Sequence, residues 1–190
     1  MCFGVRRAIG ILEKAAREGG RLETLGAVVH NRQVVEDLAR LGITPVESLV
    51  ELQSNIIAIP SHGVGPAVLD EIRAHQLQIV DATCPIVRKA QMGAKELAEA
   101  DFQVVIFGDI THPEVNGILG WAGGKGIATL NSRDVIGAGK LHRLGILSQT
   151  TQSLSDFTSF VPELIGLALL QTREMRIINT ICDATKKRQA

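Results

Sequence analysis

The hydrophobic positions of this chain switch repeatedly between helical and extended spacing. Val5, Ala8, Ile9, Leu12, Ala15 and Ala16 recur at helical intervals with Arg6, Arg7, Glu13, Lys14 and Arg17 between them, and Gly19-Gly20 ends the run. That pattern predicts an amphipathic helix directly after Cys2. A short extended segment follows through Leu25 to Val29, then a second amphipathic helix carrying Val34, Val35, Leu38 and Leu41 and closed by Gly42. Apolar runs that read as buried strands are Asn55 to Pro60, Leu77 to Val80, Phe102 to Gly108, Leu144 to Leu147 and Arg176 to Ile178. Helical patterns fill Pro66 to His75, Pro85 to Glu99, Pro113 to Trp121 and Leu154 to Leu170. Pro162 weakens the last, because an interior proline removes a backbone hydrogen bond and clashes with the preceding turn.

Strands alternating with helices imply an α/β fold of repeated small lobes with mostly parallel sheets and right-handed crossovers. A strand ending in a cysteine occurs near residues 81 to 85 and again near 178 to 183. This echo divides the chain into a first lobe at 1–84 and a second at 85–181. Residues 182–190 read as the start of a third lobe that is absent.

Composition narrows the class. Hydrophobic residues make up 45% and charged residues 21% of the 190 positions, which excludes a disordered chain. The longest apolar stretch, around Leu164 to Leu170, falls well short of the roughly 20 residues a membrane span needs. Twenty basic and twenty acidic residues cancel, without a Lys/Arg block, so the footprint of a nucleic-acid binder is missing. The expectation is a soluble protein with no membrane or nucleic-acid partner. Three widely spaced cysteines and no signal peptide point to a reducing compartment, the cytoplasm, rather than a secreted disulfide scaffold.

Those cysteines are the candidate chemistry. Cys2, Cys84 and Cys182 lie 82 and 98 residues apart, each where a strand would hand over to a helix. Convergent thiols suggest a metal, and three thiolates without an adjacent fourth ligand suit an iron-sulfur cluster with one open iron. In open α/β sheets ligands bind beyond the carboxyl ends of the strands, and the residues that follow each predicted strand are consistent with that. His30, His62 and His112 are three of the five histidines, and all three follow strands. Helix amino ends nearby favour a thiolate or a phosphate. Glu114, two residues from His112, becomes a general-acid candidate if burial or an anionic neighbour raises its pKa. Blander readings stand beside these. A free cysteine is commonly a small buried hydrophobe, Thr150 or Thr151 can simply cap the next helix, and Glu114 can be a favourable charge in a first helical turn. A structural Cys₃His zinc site is a further alternative, although the usual C-x₂-C knuckles are missing.

With these residues in view, the chain resembles the 4-hydroxy-3-methylbut-2-enyl diphosphate reductase family. The resemblance rests on Cys2-Phe3-Gly4-Val5-Arg6-Arg7-Ala8, Val29-His30-Asn31, Ser61-His62-Gly63-Val64, Asp81-Ala82-Thr83-Cys84-Pro85, His112-Pro113-Glu114-Val115, Gln149-Thr150-Thr151 and Thr180-Ile181-Cys182-Asp183-Ala184-Thr185. It implies that Cys2, Cys84 and Cys182 ligate a [4Fe-4S] cluster whose fourth iron takes the substrate's allylic hydroxyl. His30, His62, His112 and Thr150 would contact the substrate and Glu114 would deliver the proton. The implied reaction is a reductive dehydroxylation giving isopentenyl and dimethylallyl diphosphates, the last step of the methylerythritol phosphate route, with ferredoxin or flavodoxin as electron donor. The family has a strand ending in Gly-Phe before its first cysteine and a third lobe after the region matched here. The resemblance therefore implies a truncated member with impaired activity. The rival expectation is a non-catalytic metal-binding subunit completed by a separate third-lobe chain.

Overall fold

The structure, a computed structural model, describes residues 1–29, 32–138 and 141–189. One unit spans Met1–Pro85. It runs α1 (Phe3–Gly19), β1 (Leu22–Leu25), α2 (Arg32–Arg40), β2 (Ile43–Val46), a 3₁₀ turn at Leu49–Glu51, β3 (Ile56–Ile59), α3 (Pro66–Ala74) and β4 (Gln78–Asp81). Its four strands form a parallel sheet in the order β2-β1-β3-β4. Leu22, Ile43 and Ala58 pack with Ala8 and Leu12 of α1 and with Val34 and Leu38 of α2. Ile57 and Ile59, alternating with Ala58 along β3, are also buried and point to the opposite face.

The second unit spans Ile86–Ala190. Its elements are α4 (Pro85–Glu99), β5 (Gln103–Phe107), α5 (Pro113–Trp121), β6 (Gly126–Thr129), α6 (Arg133–Ile136), β7 (Arg143–Ser148), α7 (Leu154–Ala168), β8 (Glu174–Ile178) and α8 (Asp183–Gln189). The sheet is again parallel, in the order β6-β5-β7-β8. Val104 and Ile106 of β5 pack against Ala94 and Leu97 of α4 and Val115 and Ile118 of α5. Val105 and Phe107 pack against Phe157, Phe160 and Leu164 of α7. A strand covered on both faces has no polar side, which is why residues 103–107 read as an unbroken apolar run.

Both units therefore share one winding scheme. The chain steps from β1 outward to β2, then returns to β3 on the other side of β1, and β5, β6 and β7 repeat the step. The crevices beyond the carboxyl ends of β1 and β3, and of β5 and β7, are topological switch points, where ligands bind in such sheets.

One expectation needs correction, two strands lie outside the predicted set, and a predicted helix tolerates its interior proline. The first strand is Leu22–Leu25, not Leu25 to Val29; Val28 lies in the following loop and is buried there, 3% exposed, so its apolar character reports burial rather than extension. The strands β2 and β6 have only four residues each and carry too few apolar positions to stand out. Pro45 sits inside β2, tolerated because β2 is an edge strand. The helix α7 runs unbroken through Pro162, held by buried Phe157, Phe160, Leu164 and Ala168 at three- and four-residue intervals on both sides of it. Among the described residues no helix is long and apolar enough to cross a membrane.

Candidate functional site

In the first unit the loops after β1, β3 and β4 are tied together by hydrogen bonds across the switch point. The Ser61 hydroxyl donates to the Val28 carbonyl at 2.8 Å. The Ala82 N–H donates to the Ile59 carbonyl at 3.0 Å and the Cys84 N–H to the Ser61 carbonyl at 2.9 Å. The Asp81 carboxylate turns the chain toward Cys84 by accepting the Thr83 N–H at 2.9 Å. His62 lies in the same β3–α3 loop, half-buried. His30 lies outside the described residues.

The same loops meet the start of α1. Cys2 is its N-cap, in extended backbone, and its thiol makes no capping hydrogen bond. Two residues on, Gly4 lies so close to Cys84 that a Cβ there would fall 2.5 Å from the Cys84 Sγ. The Arg7 guanidinium donates to the Thr83 carbonyl at 3.1 Å. Gly4 and Arg7 thus seat the helix that follows one cysteine against the loop that carries another, 82 positions later. A sequence offers one hint of this, since glycine in a helix costs about 0.5–1 kcal/mol relative to alanine and calls for a packing reason.

In the second unit the corresponding strand ends are followed by Glu114, in the first turn of α5, and by Thr150 and Cys182, in the loops after β7 and β8. His112 caps α5, its Nδ1 accepting the Glu114 N–H at 3.1 Å, so a neutral ring carries its proton on Nε2. The Glu114 side chain is 2% exposed. Its Oε1 accepts the Thr150 N–H at 2.6 Å and its Oε2 the Thr150 hydroxyl at 3.0 Å. Burial pushes the Glu114 carboxyl above the ordinary glutamate range, against the two Thr150 bonds, which pull it down. The Thr150 carbonyl in turn accepts the Cys182 N–H at 2.9 Å, so one peptide segment links the acid to the cysteine loop. The Cys182 Sγ lies 2.9 Å from the Thr185 Oγ1 and accepts the Thr185 N–H at 3.3 Å.

Gln149 braces the opposite side of this switch point. Its Oε1 accepts the Asp109 N–H at 3.1 Å, and its Nε2 donates to the Thr151 hydroxyl at 2.9 Å. Gly108 permits the approach, because a Cβ there would fall 2.9 Å from the Gln149 Cβ. Asp109, exposed on the loop, accepts the Thr111 N–H and hydroxyl at 2.9 and 2.8 Å. Those bonds hold its carboxyl below the usual aspartate range.

Three half-buried free thiols, one of them, Cys84, facing a cradle that a Gly4 Cβ would fill, match the all-thiolate donor set of iron-sulfur clusters. Among the described residues, no three His, Cys, Asp or Glu side chains are gathered into a group able to hold a metal ion. The donor chemistry of each loop fits such a group.

The LytB protein family model matches residues 1–190. A 4-hydroxy-3-methylbut-2-enyl diphosphate reductase of Dehalococcoides mccartyi (strain ATCC BAA-2266 / KCTC 15142 / 195) is 51% identical over 189 residues, covering 99% of this chain and 66% of that protein. The protein of the same name from Geotalea daltonii is 39% identical over 188 residues, covering 99% of this chain and 65% of its own length. A solved structure of (E)-4-hydroxy-3-methyl-but-2-enyl diphosphate reductase, described as the terminal enzyme of the non-mevalonate pathway, superposes with a TM-score of 0.85 at 36% identity over 100% of this chain and 67% of that one. The Plasmodium falciparum reductase structure gives 0.89 at 26% identity, over 100% and 60%. The chain thus spans about two thirds of the length of the relatives it matches. Matched from first residue to last, with Cys2, Cys84, Glu114 and Cys182 all inside the matched span, the chain belongs to the LytB protein family.

Proposed function

We propose that this chain carries the cluster ligands and the proton donor for reductive dehydroxylation of 4-hydroxy-3-methylbut-2-enyl diphosphate to isopentenyl and dimethylallyl diphosphates. The observation that carries the reading is the buried Glu114 carboxyl joined through Thr150 to the loop of Cys182. The names of the relatives support the substrate class. In this reading Cys2, Cys84 and Cys182 hold a [4Fe-4S] cluster. When bound, such a cluster supplies electrons and a Lewis-acidic iron for the departing hydroxyl.

The chain's own residues supply the rest. Burial keeps a proton on Glu114 at pH values where an exposed glutamate has lost it. Once Glu114 is protonated, its hydrogen bond with the Thr150 hydroxyl can reverse, with the carboxyl donating and the hydroxyl handing its own proton onward to the leaving oxygen. His112, held by its cap at the start of α5, serves the substrate's anionic end. His62, on the loop after β3, serves the same ligand, as do His30 and Thr150. Diphosphate contacts beyond these belong to the additional length of the relatives, in the same polypeptide or in a separate third-lobe chain. Ferredoxin or flavodoxin supplies the electrons, and the cytoplasm, where thiols stay reduced, is the setting.

Anaerobic reconstitution with iron and sulfide tests the reading. The expected product is a brown protein with about four irons per chain, and the iron is lost in Cys84→Ser and in Cys182→Ser. A colourless chain, or iron retained in both variants, would overturn it.

A further inference from the structure

The cysteine loops of the two units are built alike except at one position. Asp81 and Asn179 each accept the N–H two residues on, from Thr83 at 2.9 Å and Ile181 at 3.1 Å. Cys84 and Cys182 each donate an N–H, at 2.9 Å, to the carbonyl of the second residue past the preceding strand, Ser61 after β3 and Thr150 after β7. Two residues before the cysteine the units part. Ala82 continues the ladder with its backbone, donating to Ile59. The matching residue of the second unit is Thr180, and it uses its side chain. The Thr180 hydroxyl accepts the Ser148 N–H at 2.9 Å and donates to the Ser148 carbonyl.

The reason lies in the register. Pairing of β3 with β4 reaches Ile59 opposite Asp81, whereas pairing of β7 with β8 stops at Leu147 opposite Ile178. The second ladder ends one rung early, and the hydroxyl takes over the lost rung. Thr180 is 3% and Ser148 0% exposed, so no water substitutes for that hydroxyl, and a buried peptide group left unpaired is costly.

We propose that Thr180 is a positioning residue. Its hydroxyl holds the loop of Cys182 in register with Thr150 and, through the Thr150 N–H, with the Glu114 carboxyl. Resting on the function proposed above, Thr180 sets the distance between the proton donor and the third thiolate without touching either reacting atom. A side chain without a hydroxyl there lets the Cys182 loop slide relative to β7.

Residue-resolved amide hydrogen exchange on the cluster-free 190-residue chain tests this independently of the reaction. In Thr180→Val the amides of Ser148, Thr150 and Cys182 are expected to exchange at least about tenfold faster, the loss of one buried hydrogen bond, while those of Val105 and Ile146 in the sheet hold their rates. Thr180→Ser, which keeps the hydroxyl, restores the three. A uniform acceleration across the unit marks Thr180 as a general stabiliser and overturns the proposal, as does unchanged exchange at Cys182. If Thr180→Val does not fold, the wild-type chain decides. Ser148 and Cys182 amides are expected to share one opening rate, slower than that of exposed loop amides, and a freely exchanging Cys182 amide refutes the positioning role.

Discussion

At Gly4 two opposing effects act on one residue. Alanine in place of glycine favours a helix by about 0.8–1 kcal/mol, so Gly4→Ala improves α1 taken alone. The added Cβ, however, meets the Cys84 Sγ at 2.5 Å, too short for any van der Waals contact, and the cysteine loop is pinned by the Cys84 N–H. The clash should win locally. Gly4→Ala is expected to change the alkylation rate of Cys84 relative to Cys182 severalfold, measured by mass spectrometry of the cluster-free chain, with the thermal midpoint little altered. Equal rates in both forms would show that the loop gives way freely. The candidate residues themselves were readable as strand-end residues. Their partners were not: nothing in the order of residues announces that Thr150 closes on Glu114 or that Ser61 reaches Val28, because those contacts join segments 33 or more positions apart.

At the scale of elements, glycines set how closely helices approach the sheets. A Cβ on Gly145 of β7 would lie 2.8 Å from both methyls of Leu97 on α4 and 3.1 Å from its Cγ. Leu97 is 2% exposed and enclosed by the core, so it has no free space into which to turn. Gly145→Ala should therefore destabilise the chain by about 1–3 kcal/mol, the usual cost of overpacking, seen as a lower urea midpoint at unchanged slope. A midpoint equal to wild type would mean that α4 can shift. The helices α4 and α5 were legible within a residue of their ends, α4 from its apolar stripe and both from the prolines in their first turns, which are local signals. The edge strands β2 and β6 were not, since Thr44 and Pro45 in one and Gly126 and Thr129 in the other break up the apolar run that marks strands such as β3.

For the molecule as a whole, the shifted carboxyls give stability a pH dependence of two signs. Glu114 has a folded pKa above its unfolded one. Its contribution is full below the ordinary glutamate value of about 4.3 and is lost as pH rises through the raised folded value. Asp109 and Glu174 are shifted down, by Thr111 and by Arg143 respectively, so their contributions are lost as pH falls, and both are exposed enough for solvent to screen them. Urea unfolding across a pH series should show wild-type stability declining on the rising side and Glu114→Gln lacking that decline. The same slope in both would place the titration elsewhere.

The order of residues alone determined the α/β alternation, Cys84 and Cys182 at strand-to-helix junctions, Cys2 directly ahead of α1, and the placement of His62, His112 and Glu114 after strands, because each of these is a local matter of period, breaker and spacing. The tertiary structure decided which of them meet. The return of β3 beside β1 and of β7 beside β5 brings Ser61 to Val28 and Thr150 to Glu114, and the early end of the β7–β8 ladder hands Thr180 the task that backbone performs at Ala82. Those outcomes depend on register and on the desolvation of groups far apart in sequence, and a linear pattern of apolar and polar positions carries neither.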